Sequence, residues 1–315
     1  MKNVEIRWQE GIGKQFVDRL GTAGRSGNGV SVSESPFGAT AQGILDFRGL
    51  RFHEKSELRR LSFAPSDFRA SVFKGIWLER CVFSDSVFEG ASFQKVAEHG
   101  STFRNCNFLK SSFRDAVIGF RGTRFDRCTL DSVDFHQTGF IRPEFDDCAF
   151  HRCKLDGCDL NGASFERCRF VGVLNEVWFR GGFGHPNEVE RYGQPRRNRM
   201  LNVSFESAVL HDVTFSNQCD LSTVHPPTDD RHALLGNWPT RLSSLQEQCA
   251  SWPENQQRAA KAFASTNLVH AQTQDWFLLN RDDLQGEFGE ETANRIWQAI
   301  IIAVSDSPPS PTPRG

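Results

Sequence analysis

From Leu58 onward a large apolar residue recurs at every fifth position. The series runs Leu58, Phe63, Phe68, Phe73, Leu78, Phe83, Phe88 and Phe93, then Phe103, Phe108, Phe113 and Ile118. After a two-residue shift it resumes at Phe125 and continues by fives through Leu130, Phe135, Phe140, Phe145, Phe150, Leu155, Leu160 and Phe165 to Phe170. The chain holds 28 Phe against 1 Tyr, and 21 of those Phe sit on such centres between Phe47 and Phe215. An α-helix repeats every 3.6 residues and a flat strand every 2, so neither accounts for a period of five. The chain must turn at short, regular intervals, and units this small bury their apolar residue only by stacking on neighbours.

A second ladder lies two residues before each centre. It reads Leu61, Ser66, Ser71, Ile76, Cys81, Ser86 and Ala91, and later Cys128, Val133, Thr138, Pro143, Cys148, Cys153, Cys158, Ala163 and Cys168. These residues are mostly small, and the positions between are mostly polar. Read as CVFSD (81–85), CNFLK (106–110), CDLNG (158–162) and ASFER (163–167), the motif resembles the pentapeptide-repeat family. The resemblance covers roughly residues 44–221 and implies a right-handed quadrilateral β-helix, four pentads per coil. A residue then lies beneath the one twenty positions on, at the usual strand spacing of about 4.8 Å. Phe68, Phe88 and Phe108 should stack on one face, and Phe63, Phe83 and Phe103 on another.

The period breaks in four places. One extra residue intrudes between Phe52 and Leu58, and Glu98 stands where a large apolar centre belongs. A buried, unpaired carboxylate is costly, so Glu98 is expected to point outward. A two-residue insertion lies near IGFRG (118–122), with Phe120 inside it. The main break spans 171–200, read as a loop ejected from the coil before one last turn at Phe205, Leu210, Phe215 and Leu221. Residues 1–43 read as an N-terminal extension: a short strand, VEIRW, then a flexible Gly/Ser-rich stretch over 21–43. Residues 222–304 read as an α-helical segment that caps the β-helix or forms a homodimer, the latter implied by the resemblance. One helix is expected from Pro253 toward Leu279 and another from Glu291 to Val304, with Ile296, Trp297, Ile300, Ile301 and Val304 on one stripe. Residues 305–315 read as a disordered tail.

Charge excludes little. The net charge is −2, and residues 44–221 carry 25 Lys/Arg against 24 Asp/Glu. Neither direct nucleic-acid binding nor membrane attraction is indicated. The start, MKNVEIRWQE, is too charged for a signal peptide, and the longest apolar run, AIIIAV (299–304), is too short to span a bilayer, so a cytoplasmic location is expected. Eight of the nine Cys occupy the small inward position, which reads as packing and not as a metal or disulfide set. GTAGRSGNG (21–29) lacks the rest of a phosphate-binding loop and reads as linker. No HExxH, Gly-x-Ser-x-Gly or Walker A sequence occurs, so no catalytic residue, metal or cofactor is assigned.

Binding residues are therefore sought in the 171–200 break. Trp178, Arg191, Tyr192, Arg196, Arg197 and Arg199 combine basic and aromatic side chains suited to a partner surface. The reading is a non-enzymatic protein-binding scaffold that presents a rigid β-helix face and this loop. The resemblance implies an alternative: a DNA gyrase or topoisomerase IV partner, protected against a poison by a protein that mimics the shape and negative charge of duplex DNA. Asp126, Asp146 and Glu166, twenty residues apart and flanked by Asp147, would form an acidic column, but Arg127 and Arg167 fall beside it.

Overall fold

A computed structural model describes residues 6–24 and 27–302. The chain divides into two compact units, one running to Cys219 and including Thr223–Pro227, the other made of Asp220–Ser222 and the residues from Thr228 on.

The first unit is the expected β-helix. Its strands pair in parallel with the strand one coil away, as in Phe63 with Phe83, Phe83 with Phe103, Leu130 with Phe150 and Leu58 with Leu78. One face is a seven-stranded sheet containing Val30–Val32, Leu61–Phe63, Val82–Ser84, Thr102–Arg104, Arg124–Asp126, Glu144–Asp146 and Ser164–Glu166. Inside, the rings form columns. Phe63 and Phe83 are 4.9 Å apart with planes 5° from parallel, and Phe68 and Phe88 are 4.9 Å apart at 3°. Neighbouring columns meet edge to face, as Phe63 meets Phe68 at 80°. Offset stacks within a column and edge-on contacts between columns are the two favoured aromatic geometries. The first column crosses the insertion intact, since Phe103 stacks on Phe125 at 4.9 Å.

The corners show a device that the apolar ladders do not reveal. The residue two places after a centre takes a left-handed conformation, with φ of 56° at Ala70, 52° at Arg80, 50° at Asp85 and 57° at Lys95. This bends the chain just before the small inward residue. Side chains other than Gly accept strain of about 1–2 kcal/mol at such φ. The corner N–H groups still bond the next coil, Ala70 to Glu89 O at 2.9 Å and Arg80 to His99 O at 3.0 Å.

The N-terminal extension departs from expectation. Ile6–Trp8 form a turn, not a strand, and Gly11–Thr22 is an α-helix. The helix buries Phe16, Val17 and Leu20, and Phe16 stacks on Phe47 at 5.7 Å. Trp8 is buried against Phe37 and Phe47, and its indole N–H donates to Arg48 O at 2.8 Å. Phe47 starts an aromatic column, and covering it keeps water from the open end of the coil. The expected flexible stretch is tied down as well. Val30–Val32 pairs with Leu61–Phe63, and Ser35 donates to Asp46 O at 2.6 Å. Arg25 and Ser26, within the linker reading, lie outside the described residues, as does the start of VEIRW.

The second unit has its own core. Helices Trp238–Gln248, Glu254–Ala271, Arg281–Phe288 and Glu290–Ile302 pack around Trp238, Leu242, Leu245, Ile296, Trp297 and Ile300. The helix expected to reach Leu279 ends at Ala271, because Phe277–Asn280 pairs antiparallel with His232–Leu235. Trp252, Phe277 and the Ile296–Ile300 stripe pack into this unit's own core. Arg241 is fully buried and donates to Gly236 O at 2.9 Å and to Ile300 O and Ile301 O at 2.7 and 3.1 Å. It thereby satisfies carbonyls left open where the last helix ends. Val304 and the 305–315 tail lie outside the described residues.

Two substitutions test the coil. Phe108 is fully buried between Phe88 and Phe125, so Phe108→Ala should cost about 3–5 kcal/mol in denaturant unfolding. An unchanged midpoint would place that ring outside the core. Ala70→Gly should stabilise by roughly 0.5 kcal/mol, because relief of left-handed strain exceeds the entropy cost of Gly. The same exchange at Ala149, in a strand, should destabilise by about 0.5–1 kcal/mol. Equal effects at both positions would refute the corner account.

Candidate functional site

The excursion is shorter than its sequence boundaries. Arg169–Asn175 is a long strand paired with Ser204–His211, and Trp178–Arg180 pairs with Asp159–Leu160 and Thr214–Ser216. Residues 171–180 thus stay in the wall, because Leu174, Val177 and Phe179 still fill inward positions. The chain leaves the coil at Gly181, includes a single helical turn, Glu188–Tyr192, and returns near Met200.

Several contacts hold this excursion against the β-helix. Asn198 is fully buried; its side-chain oxygen accepts from Phe165 N at 3.0 Å and its amide donates to Arg180 O at 3.1 Å. Asn161 donates to Glu188 at 2.7 Å and accepts from Gly184 N at 2.8 Å. Arg142 donates to Gln194 O at 2.9 Å. Phe183 lies over Gly162, where φ is +63° and a Cβ would come within 2.5 Å of the ring. Tyr192 meets Phe120 edge-on at 5.3 Å.

Phe120 is available because of how the coil absorbs its insertion. Glu98 does not point outward: it is buried at a centre position, beside Leu78 in the ladder. Its carboxyl oxygens accept from Ser101 N at 2.6 Å and Gly119 N at 3.1 Å. The longer backbone at 119–122 thus finds an acceptor for Gly119 N–H inside the coil, where an apolar centre would have offered none. Burial pushes the Glu98 carboxyl up to about 7, against the pull of those hydrogen bonds. Phe120 is turned out onto His99 at 4.6 Å, and His99 stacks on Trp77 at 3.7 Å. Burial, with the Arg121 charge, lowers His99 to about 4. An aromatic row Trp77–His99–Phe120–Tyr192 therefore runs across one face to the excursion.

The six candidate residues do not form one cluster. Arg191 lies over the Tyr192 ring at 5.1 Å, and both are in the excursion's helical turn. Arg196 pairs with Glu166 at 2.5 Å and Glu144 at 3.4 Å, so it anchors the excursion. Arg197 and Arg199 are exposed. Trp178 stands apart on the wall, with the Arg180 guanidinium 4.6 Å from its ring. Sequence reasoning placed Glu98 outward, against its burial, and missed His99, Arg142 and Asn198. The signal for Glu98 was present: it lies 21 residues before Gly119, about one coil from the insertion it serves.

The acidic column is not a continuous negative stripe. Asp126 pairs with Arg104 and Arg127, Asp146 with Arg124 and Arg167, and Glu166 with Arg196 and Arg167. The arginines come from the same face, its corner and the excursion, so the face is a lattice of alternating charge.

The thiols behave as packing. Burial pushes Cys81, Cys153 and Cys158 up to about 12, which keeps them protonated. Their sulfurs lie 3.2–3.4 Å from carbonyls of the previous coil. Spacings near twenty also place Cys128, Cys148 and Cys168 in one column, with Cys128 N 3.4 Å from the Cys148 sulfur. Among the described residues, no group of three or more His, Cys, Asp or Glu is arranged to hold a metal, and no helix is long and apolar enough to cross a membrane.

Known proteins share the repeat. The family model for pentapeptide repeats matches residues 144–173. The pentapeptide repeat protein MfpA of Mycolicibacterium smegmatis is 42% identical over 50 residues, 16% of this chain and 26% of that protein. MfpA of Mycobacterium tuberculosis is 32% identical over 81 residues, 23% of this chain and 44% of that one. The chain therefore spans less than half the length of these relatives. Among solved structures, HetL of Nostoc, described as involved in heterocyst differentiation regulation, aligns at 11% identity over 63% of this chain and 85% of its own, with a TM-score of 0.32. QnrB1, described as a plasmid-mediated fluoroquinolone resistance protein, aligns at 11% identity over 59% and 94%, with a TM-score of 0.28.

Glu98 gives a signed pH dependence. Its folded value, about 7, lies above the ordinary glutamate value of 4.5. The folded state keeps this proton while the unfolded chain loses it, so the stabilisation present below about pH 4.5 is lost as pH rises through 7. Stability measured against Glu98→Gln should shift in the variant's favour by on the order of 3 kcal/mol between about pH 4.5 and 7.5. A difference constant with pH would show that Glu98 does not titrate in that range.

Proposed function

Since this chain is a pentapeptide-repeat protein folded as a quadrilateral β-helix, we propose that it is a non-enzymatic scaffold that binds a protein partner through one face of the coil and the 181–200 excursion. The observation that carries this reading is the way the excursion is held. Buried Asn198, Asn161, Arg142 and Arg196 secure it, while Arg191, Arg197 and Arg199 stay exposed. A secured loop binds with little loss of chain entropy, and exposed Arg beside aromatics suits a protein surface.

The alternative partner, a type II topoisomerase approached by DNA mimicry, finds a point in its favour in the secured loop. The paired acidic column weighs against it. A surface that competes for a phosphate-binding groove needs uncompensated negative charge, whereas here Arg104, Arg124, Arg127, Arg167 and Arg196 interleave with the acids.

Two measurements separate these readings. Affinity recovery with the intact chain should yield partners that are lost when residues 182–197 are replaced by a short Gly/Ser link. Equal recovery would remove the role given to the excursion. Purified protein should leave gyrase and topoisomerase IV supercoiling activity unchanged, with or without a poison; inhibition or protection would establish the alternative.

A further inference from the structure

The face that carries Trp178 also carries Trp77, in the same column. The ladder pairs Glu57 with Trp77, Trp77 with Ala97, Ala97 with Val117 and Val117 with Gly139. The strand Gly139–Phe140 lies against Asp159–Leu160, and Asp159 pairs with Trp178. Of the four large apolar residues exposed on the described strands of the β-helix, Val173 at 58% lies on another face, while Trp77 at 36%, Val117 at 37% and Trp178 at 38% fall in one column. Between them stand only Ala97, Gly139 and Asp159. Exposed apolar residues scattered singly need no explanation, but their alignment does. From Trp77 to Trp178 are five coil steps, about 24 Å.

Chemistry narrows what can lie there. The backbone of this column is committed to the coil: Trp77 N bonds Ser56 O, Ala97 N bonds Ile76 O, Val117 N bonds Val96 O and Trp178 N bonds Cys158 O. A partner cannot add a strand and must be read through side chains, as a helix laid on a face is. A helix 24 Å long has about sixteen residues. The small residues in the middle let its backbone come close, and the two indoles flank its ends. The Phe120–Tyr192 pair borders one side through His99. Charge orients it. Around Trp178 a concavity of about 520 Å³ is lined by Asp159, Glu176, Asp212 and Arg180; Arg180 pairs with Asp159 at 2.7 Å, so Glu176 and Asp212 give this end its negative charge. Around Trp77 the acids Glu57 and Glu79 are paired with Arg59 and Arg121, so that end carries no net negative charge.

We propose that this column seats an amphipathic α-helix of a partner protein, apolar along one side and basic at the end that lies over Trp178. The inference rests on the scaffold reading and specifies the partner's chemistry. The N-terminal, electropositive end of the helix lies at the acidic end of the column.

The test uses the full chain and fluorescein-labelled synthetic peptides of eighteen residues. One carries Leu and Ala at i, i+3, i+4 and i+7 spacing with three Arg in its first two turns. A second has the same composition with the stripe scrambled, and a third has Glu in place of Arg. Fluorescence anisotropy should show saturable binding of the first and at least tenfold weaker binding of the other two. Val117→Glu and Trp178→Ala, both surface changes whose folding circular dichroism will check, should each weaken the first peptide at least tenfold. Equal binding of striped and scrambled peptides, or wild-type affinity in both variants, would overturn the proposal. So would a dimer of the chain alone in sedimentation that Val117→Glu dissociates, since a second copy would then occupy the face. Partners recovered equally by the intact chain and by Val117→Glu would sink the helix seat and leave the scaffold reading standing. No partner recovered by the intact chain would sink the scaffold reading itself.

Discussion

Most inward side chains of the first unit, rings above all, are stabilised by the apolar side chain one coil away, and this dependence organises everything else. A pentad alone buries nothing. Stacked, the rings close a dry interior, each contributing roughly 1.5–3 kcal/mol of burial. The backbone ladder between coils then forms where water cannot compete. The same dependence makes the ends vulnerable, since a terminal ring has a partner on one side only. At the N-terminal end Trp8 and Phe16 supply that partner for Phe47.

A column of this kind tolerates insertions only outside itself. The two extra residues near 119–122 leave Phe103 stacked on Phe125 because the surplus backbone bulges at a corner, and Glu98 inside the coil accepts the Gly119 N–H along with the nearby Ser101 N–H. The carboxylate is an expensive occupant of an apolar interior, but two backbone donors reward it. The bulge in turn pushes Phe120 outward, where Tyr192 rests on it. Irregularity in the core and the seating of the excursion are therefore parts of one feature, joined through a single displaced ring.

The surface follows a different logic. Outward positions bear no core constraint, so their charges are free to vary, yet on the Phe63 face they alternate in sign and pair between coils. On the Trp77 face they give way to small and aromatic residues in one column. Coil geometry brings together residues twenty apart in sequence, so both patterns are invisible to a reading that scans neighbours. Trp178 was singled out for its place in a break, but its column with Val117 and Trp77 emerges only when the coils are laid over one another.

The period-five ladder by itself determined which residues face inward, the thiols among them, and that the chain turns at short, regular intervals. The four faces and the pairing of residue i with i+20 came with the family resemblance, and the ladder registers bear them out. Where the period fails, local sequence does not suffice. Glu98 read as outward because burial of a charge is costly; inside the coil, a local donor, Ser101 N, and one from the next coil, Gly119 N, make it tolerable. The 171–180 segment read as loop because its spacing slips, but a long strand absorbs the slip. The N-terminal helix and the ribbon of the second unit were likewise decided by partners far away in the chain. Contacts between distant segments carry no periodic trace, so tertiary structure alone settles them.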